Sequence, residues 1–154
     1  MGFAETWKAM KDKATAAVGR FTHAKVANAS MAICALVAAS DGKIDASERA
    51  KTANAIAKCE DLKDFDMKDL KAKFDEYCTE MDDPDFGAVN LEKIIRGVKG
   101  DEDDCIMVLS LGIIIGKADG NFDDKEKAIC SHVAKMLGLN PEDFDLPVAA
   151  AAAK

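Results

Sequence analysis

Proline is scarce. Pro84, Pro141 and Pro147 are the three in the 154-residue chain, and none interrupts residues 1–83. Apolar and polar residues almost never alternate at a two-residue period, which argues against a sheet and leaves helix as the main element. Positive charge is in deficit, with 21 Lys and Arg against 28 Asp and Glu and a formal net charge of −7. A nucleic-acid-binding surface needs clustered cations against phosphates, so that function class is excluded. The longest apolar run, about Ile106 to Ile115, falls well short of the roughly 20 residues of a membrane span. The start, Met1-Gly-Phe-Ala-Glu-Thr-Trp-Lys8, lacks a basic region followed by an apolar stretch, so no secretory signal is expected.

The cysteines Cys34, Cys59, Cys78, Cys105 and Cys130 are odd in number and widely spaced, with no C-x-x-C. Neither a disulfide framework nor a zinc knuckle fits them, and reduced, buried thiols in a cytoplasmic protein are the expectation. Phosphate-cradling G-x-x-x-x-G-K-[S/T], dinucleotide-binding glycines and triad signatures are likewise missing.

An apolar fraction of 49% and a charged fraction of 32% describe one globular domain. At this length about two-thirds of the chain's surface can be buried without help from a metal. The predicted fold is all-α, a single domain of about seven helices with an internal pseudo-two-fold repeat of helix-loop-helix units. Residues 1–20 hold an amphipathic helix, 21–146 the helical domain and 147–154 an alanine-rich tail. The first helix, Phe3 to Val18, carries a stripe of Phe3, Trp7, Met10, Ala14, Ala17 and Phe21 that suits core packing better than a membrane surface. Helices from about Lys25 to Ala39 and from Asp101 onward are apolar nearly all round and should be central. Others follow Asp45, Asp66, Asp83-Pro84 (closing near Gly100) and Asp123, the last ending at Gly138.

Two segments 78 positions apart repeat one another. Ala39-Ser-Asp-Gly-Lys-Ile-Asp-Ala-Ser-Glu48 aligns with Lys117-Ala-Asp-Gly-Asn-Phe-Asp-Asp-Lys-Glu126. Asp45 and Asp123 read as N-caps, with Glu48 and Glu126 completing capping boxes worth about 1 kcal/mol each. Capping does not account for Asp41 and Asp119, which stand at the negative ends of the preceding helices. The motif matches the second half of an EF-hand loop, but the upstream ligand positions are Val37 and Ala39 in one copy and Ile115 and Lys117 in the other. A standard EF-hand is therefore excluded on ligand count. Two copies together offer six carboxylates: Asp41, Asp45, Glu48, Asp119, Asp123 and Glu126. Carboxylates about 5 Å apart repel by roughly 3 kcal/mol at an effective dielectric of 20. Paired turns would thus call for a hard divalent cation (calcium, magnesium or manganese), while separated turns would be caps only. His132 is a weaker candidate ligand, and His23 weaker still.

The second segment, followed by Ala134-Lys-Met-Leu-Gly-Leu-Asn-Pro141 and Asp143-Phe144, resembles the TerB family of tellurite-resistance proteins. Ala38-Ala-Ser-Asp-Gly42 with Ser47-Glu48, and Phe65-Asp66, are similar to that family's first half. The resemblance spans about residues 18–146. It implies an all-α cytoplasmic protein linked to resistance against tellurite, phage and pore-forming colicins, with metal held by the six carboxylates. It also implies protein partners such as a TerC-like integral membrane protein at the inner membrane face, and it carries no catalytic activity. Three functional classes stand open: a cation-responsive docking module, a metal-dependent enzyme, and a structural scaffold without metal. An enzyme would place a sizeable pocket beside the acidic residues; a docking module would present an apolar or charged patch.

Overall fold

The computed structural model describes residues 4, 5, 8, 9, 24–40, 44–62, 65–118 and 122–147. Six α-helices follow in order: α1 (Ala24–Ala38), α2 (Ala46–Lys58), α3 (Met67–Glu80), α4 (Pro84–Arg96), α5 (Glu102–Ala118) and α6 (Asp124–Met136). Short 3-10 turns lie at Glu60–Leu62 and Pro141–Phe144. The described residues contain no strand, in line with the all-α expectation. Among the described residues these six helices are the second to the seventh of the predicted seven or so. Of the first, residues 4, 5, 8 and 9 are helical and exposed; its remaining residues lie outside the described residues, as do 148–154 of the tail.

Acidic caps define most helix starts by accepting backbone N–H groups that have no partner within the helix. Asp45 Oδ1 accepts from Glu48 N at 2.7 Å, and Asp66 Oδ1 from Lys68 N at 3.0 Å. Asp101 Oδ1 accepts from Asp104 N at 3.2 Å. Asp83 holds the N-cap position of α4 but makes no side-chain cap bond; the restricted φ of Pro84 favours the first turn instead. That helix ends at Arg96, short of Gly100, because residues 97–100 close it as a turn. Gly138, at φ +78°, stands just past α6 in the left-handed conformation expected of a C′ glycine.

The sequence repeat reappears in the helix limits. Shifting α2 by 78 residues gives the limits of α6, and shifting the start of α1 gives the start of α5. In both units the first helix is central and the second superficial. Every residue of α1 from Ala29 to Ala38 is buried, and α1 packs against each of the other five helices. In α5, Met107 to Ile113 are buried without a break. Helices that are apolar all round belong at the centre of a core, and amphipathic ones at its edge. Only Thr52 and Ile56 of α2 are buried.

Two glycines set how α1 and α5 meet. A Cβ on Gly112 would lie 2.7 Å from Ile33 Cδ1, and one on Gly116 would lie 3.5 Å from Val37 Cγ1. Both contacts advance by one helical turn in the same sense, from Ile33 to Val37 and from Gly112 to Gly116. The central helices therefore run in the same direction where they touch, and their C-terminal ends lie together.

Candidate functional site

Ser40 and Ala118 are the last described residues before the two acidic turns, and both turns leave from the adjoining ends of α1 and α5. On the far side of the second turn, Phe122 folds back onto α5. Its ring atoms Cδ1 and Cε1 lie 2.8 and 2.9 Å from where a Gly116 Cβ would be, beside Val37. Ile44, the matching residue of the first turn, also packs against the core. In each copy one apolar residue packed on the core is followed at once by a capping aspartate.

The two caps have nearly the same backbone, φ −82° and ψ 167° at Asp45 and φ −83° and ψ 179° at Asp123. At the second, the capping box is closed in both directions. Asp123 Oδ1 accepts from Glu126 N at 2.9 Å, and Glu126 Oε1 accepts from Asp123 N at 3.0 Å. Glu126 is buried, at 9% exposure. At the first, the bond from Glu48 N to Asp45 is present. Asp45, Asp123 and Glu126 therefore do the capping that their spacing implies, while Glu48 enters the first cap through its backbone N–H. Among the described residues, no group of three or more His, Cys, Asp or Glu side chains is placed to hold a metal. The other two candidates, Asp41 and Asp119, lie outside the described residues. Asp45, Glu48, Asp123 and Glu126 form no such group among the described residues, and the six-carboxylate arrangement depends on Asp41 and Asp119.

His132 is turned to another task. Its Nε2 lies 3.2 Å from Glu92 Oε2, linking α6 to α4, where Glu92 also meets Arg96. His23 lies outside the described residues. Arg49, which spacing did not single out, fixes the start of α2 against α3. Its guanidinium donates to the Asp75 carboxylate, to the Asp75 carbonyl at 2.8 Å and to Thr79 Oγ1 at 3.1 Å. A fork of donors reaching a carboxylate and a carbonyl together holds orientation better than a single ammonium can.

The five thiols form no disulfide, and four of them are buried. Burial pushes Cys78 and Cys130 up to about 12 and Cys105 up to about 11, so these three stay protonated at neutral pH. Nearby carboxylates add to the effect, Glu126 on Cys130 and Asp104 on Cys105. The nucleophilic form of a thiol is the thiolate, so these side chains act as small core residues.

Two clefts open on the described surface. One, of about 450 Å³, lies between α2 and the end of α5 and is lined by Lys51, Asn54, Lys58, Ile114, Ile115 and Ala118, among others. The other, of about 600 Å³, lies between the start of α1 and α3. Asp45, Glu48, Asp123 and Glu126 are not among the residues that line either cleft.

No helix of the described residues is long and apolar enough to cross a membrane. No curated protein and no solved structure matches the chain significantly. The family model described as Tellurite resistance protein TerB matches residues 27–147, which takes in all six helices apart from the first residues of α1, together with both acidic turns. A family match over most of its length, on an architecture that is all-helical among the described residues, shows that this chain belongs to the TerB family and carries a tellurite-resistance-related domain.

Proposed function

We propose that the chain is a non-enzymatic docking module whose two acidic turns together bind a divalent cation of the calcium, magnesium or manganese class. It would serve a resistance complex against tellurite, phage and colicins at the inner face of the membrane, with a TerC-like integral membrane protein as partner. The observation that carries this reading is the parallel contact of α1 and α5, which starts both turns from one end of the molecule. Carboxylates brought together repel, and hard oxygen donors suit a hard divalent ion. Asp45 and Asp123 keep one oxygen each for their helices, which leaves the other oxygen for an ion shared with Asp41 and Asp119.

When bound, such an ion supplies the positive charge that relieves this repulsion. The turns lead directly into α2 and α6, and Arg49 couples α2 to α3. Ordering the turns would therefore bias the angle of the outer helices, provided that the ion binds one arrangement better than another. A docking role is supported further by Phe86 and Val89, 78% and 66% exposed one turn apart on α4. Exposed large apolar pairs of this kind suit protein contacts.

Thermal unfolding tests the reading. Millimolar calcium, magnesium or manganese should raise the Tm of the wild-type chain, and the double variant Asp41→Asn, Asp119→Asn should lose that response while its metal-free Tm rises, because the repulsion is relieved. A site filled at 100 times its Kd stabilises by about 2.7 kcal/mol. An unchanged wild-type Tm with all three ions, or an equal rise in the variant, would reject cation binding at these turns. Recovery of the same membrane proteins with and without chelator would keep the scaffold and remove the switch.

A further inference from the structure

The cleft between α1 and α3 is independent of the acidic turns. Phe65 and Leu70, both buried, and Ala24, Ala27 and Ala72 give it an apolar lining, and Asp66, Asp69 and Glu76 give it an acidic rim with Lys73 as the one lining cation among the described residues. Ala24, the first residue of α1 and the one that follows the 23 N-terminal residues in sequence, lines it. Those residues differ in charge from the rest. They hold four cations (Lys8, Lys11, Lys13, Arg20) and two acids, whereas the remaining 131 residues hold 17 cations and 26 acids.

The pattern within the segment matches the cleft. On a helix of 3.6 residues per turn, Phe3, Trp7, Met10 and Ala14 form one stripe, Lys11 and Lys13 flank it, and Glu5 and Asp12 fall on the opposite side. Ala4, Glu5, Lys8 and Ala9, the described residues of this stretch, are all helical, all exposed and all off the stripe. A helix from Phe3 to Val18 is about 24 Å long, close to the roughly 21 Å of α3. The family match begins only at residue 27, so this segment stands outside it.

We propose that the chain's own N-terminal segment docks in cis, its Phe3-Trp7-Met10-Ala14 stripe seated in the α1–α3 cleft and Lys11 and Lys13 set against the acidic rim. Trp7 is the sole tryptophan, so its fluorescence reports the docking directly. In the full chain, at a concentration where sedimentation shows a monomer, Trp7 should emit to the blue of a free peptide of residues 1–23. It should also be quenched by acrylamide severalfold less. Ala72 is exposed on α3, and Ala72→Arg blocks the cleft without touching the core. That variant, and separately Asp69→Lys with Glu76→Lys, should shift the emission to the red and raise quenching severalfold while far-UV helicity is retained. Quenching equal to that of the peptide in the wild-type chain, or protection that survives Ala72→Arg, would overturn the proposal. So would protection that appears only as the chain dimerises, which would seat the stripe on a second copy. Protection only on adding anionic phospholipid vesicles would overturn it in favour of a membrane surface.

Discussion

Replacing Gly112 by leucine is expected to lower the unfolding free energy by about 3 kcal/mol, the upper part of the usual range for overpacking a filled core. The first side-chain carbon alone would stand 2.7 Å from Ile33 Cδ1 and 3.0 Å from both Cγ atoms. Ile33 is fully buried, so it cannot give way into solvent. Leucine's better helix propensity recovers at most about 1 kcal/mol. Urea unfolding of the full chain checks this, with the loss read as a lower midpoint at an unchanged slope. Shortening the opposing side chain should help, so Ile33→Ala in the Gly112→Leu background should unfold later than the sum of the two single losses predicts. A neutral Gly112→Leu would mean that α1 and α5 do not meet at this point. The same contact sets where the two acidic turns begin, so the variant should also weaken any cation response.

Alkaline pH should destabilise the domain steeply. Cys130 is fully buried and held up to about 12, against 9 for a free thiol. Between those values the folded chain keeps a proton that the unfolded chain gives up, so stability is full below about pH 9 and falls as pH rises toward 12. For one such group the slope is about 1.4 kcal/mol per pH unit. Cys78 and Cys105 act in the same direction, and Tyr77, raised from 10.0 to about 12 mainly by burial, joins them above pH 10. Their sum by pH 11 is several kcal/mol, comparable with the 5–15 kcal/mol total of an ordinary domain. Urea midpoints under reducing conditions from pH 8 to 11 should fall accordingly, and the slope should flatten in Cys130→Ala. Equal slopes for variant and wild type would show that Cys130 titrates in the folded chain as it does in the unfolded one.

Local chemistry made much of the fold legible. Asp45, Asp66 and Asp123 each stand at the start of a helix and accept a backbone N–H two or three residues on. Such bonds are decided within a few residues, which is why spacing alone predicted them. Asp83 shows the limit of that logic, since Pro84 favours the turn and the carboxylate makes no cap bond. The meeting of Ile33 with Gly112 was not legible, because periodicity identifies an apolar face but not the helix it will touch. Gly112 and Gly116 stand one turn apart in an otherwise apolar helix, and that spacing was the available sign of a close approach. Arg49 and Asp75 are 26 residues apart with nothing in either neighbourhood to pair them. The acidic turns were legible as a repeat. Their relation in space came only from the packing of the helices that precede them.

Paramagnetic broadening by manganese tests most directly whether the two turns act as one site. Backbone amide signals would be followed while manganese is added to the full chain below stoichiometry. Signals flanking both turns, Ser40 and Ile44 as well as Ala118 and Phe122, should broaden together at the same manganese ratio, because each contact of α1 with α5 brings those ends side by side. Broadening at one turn while the other stays sharp, or at neither, would contradict a shared cation and leave Asp45 and Asp123 as helix caps alone.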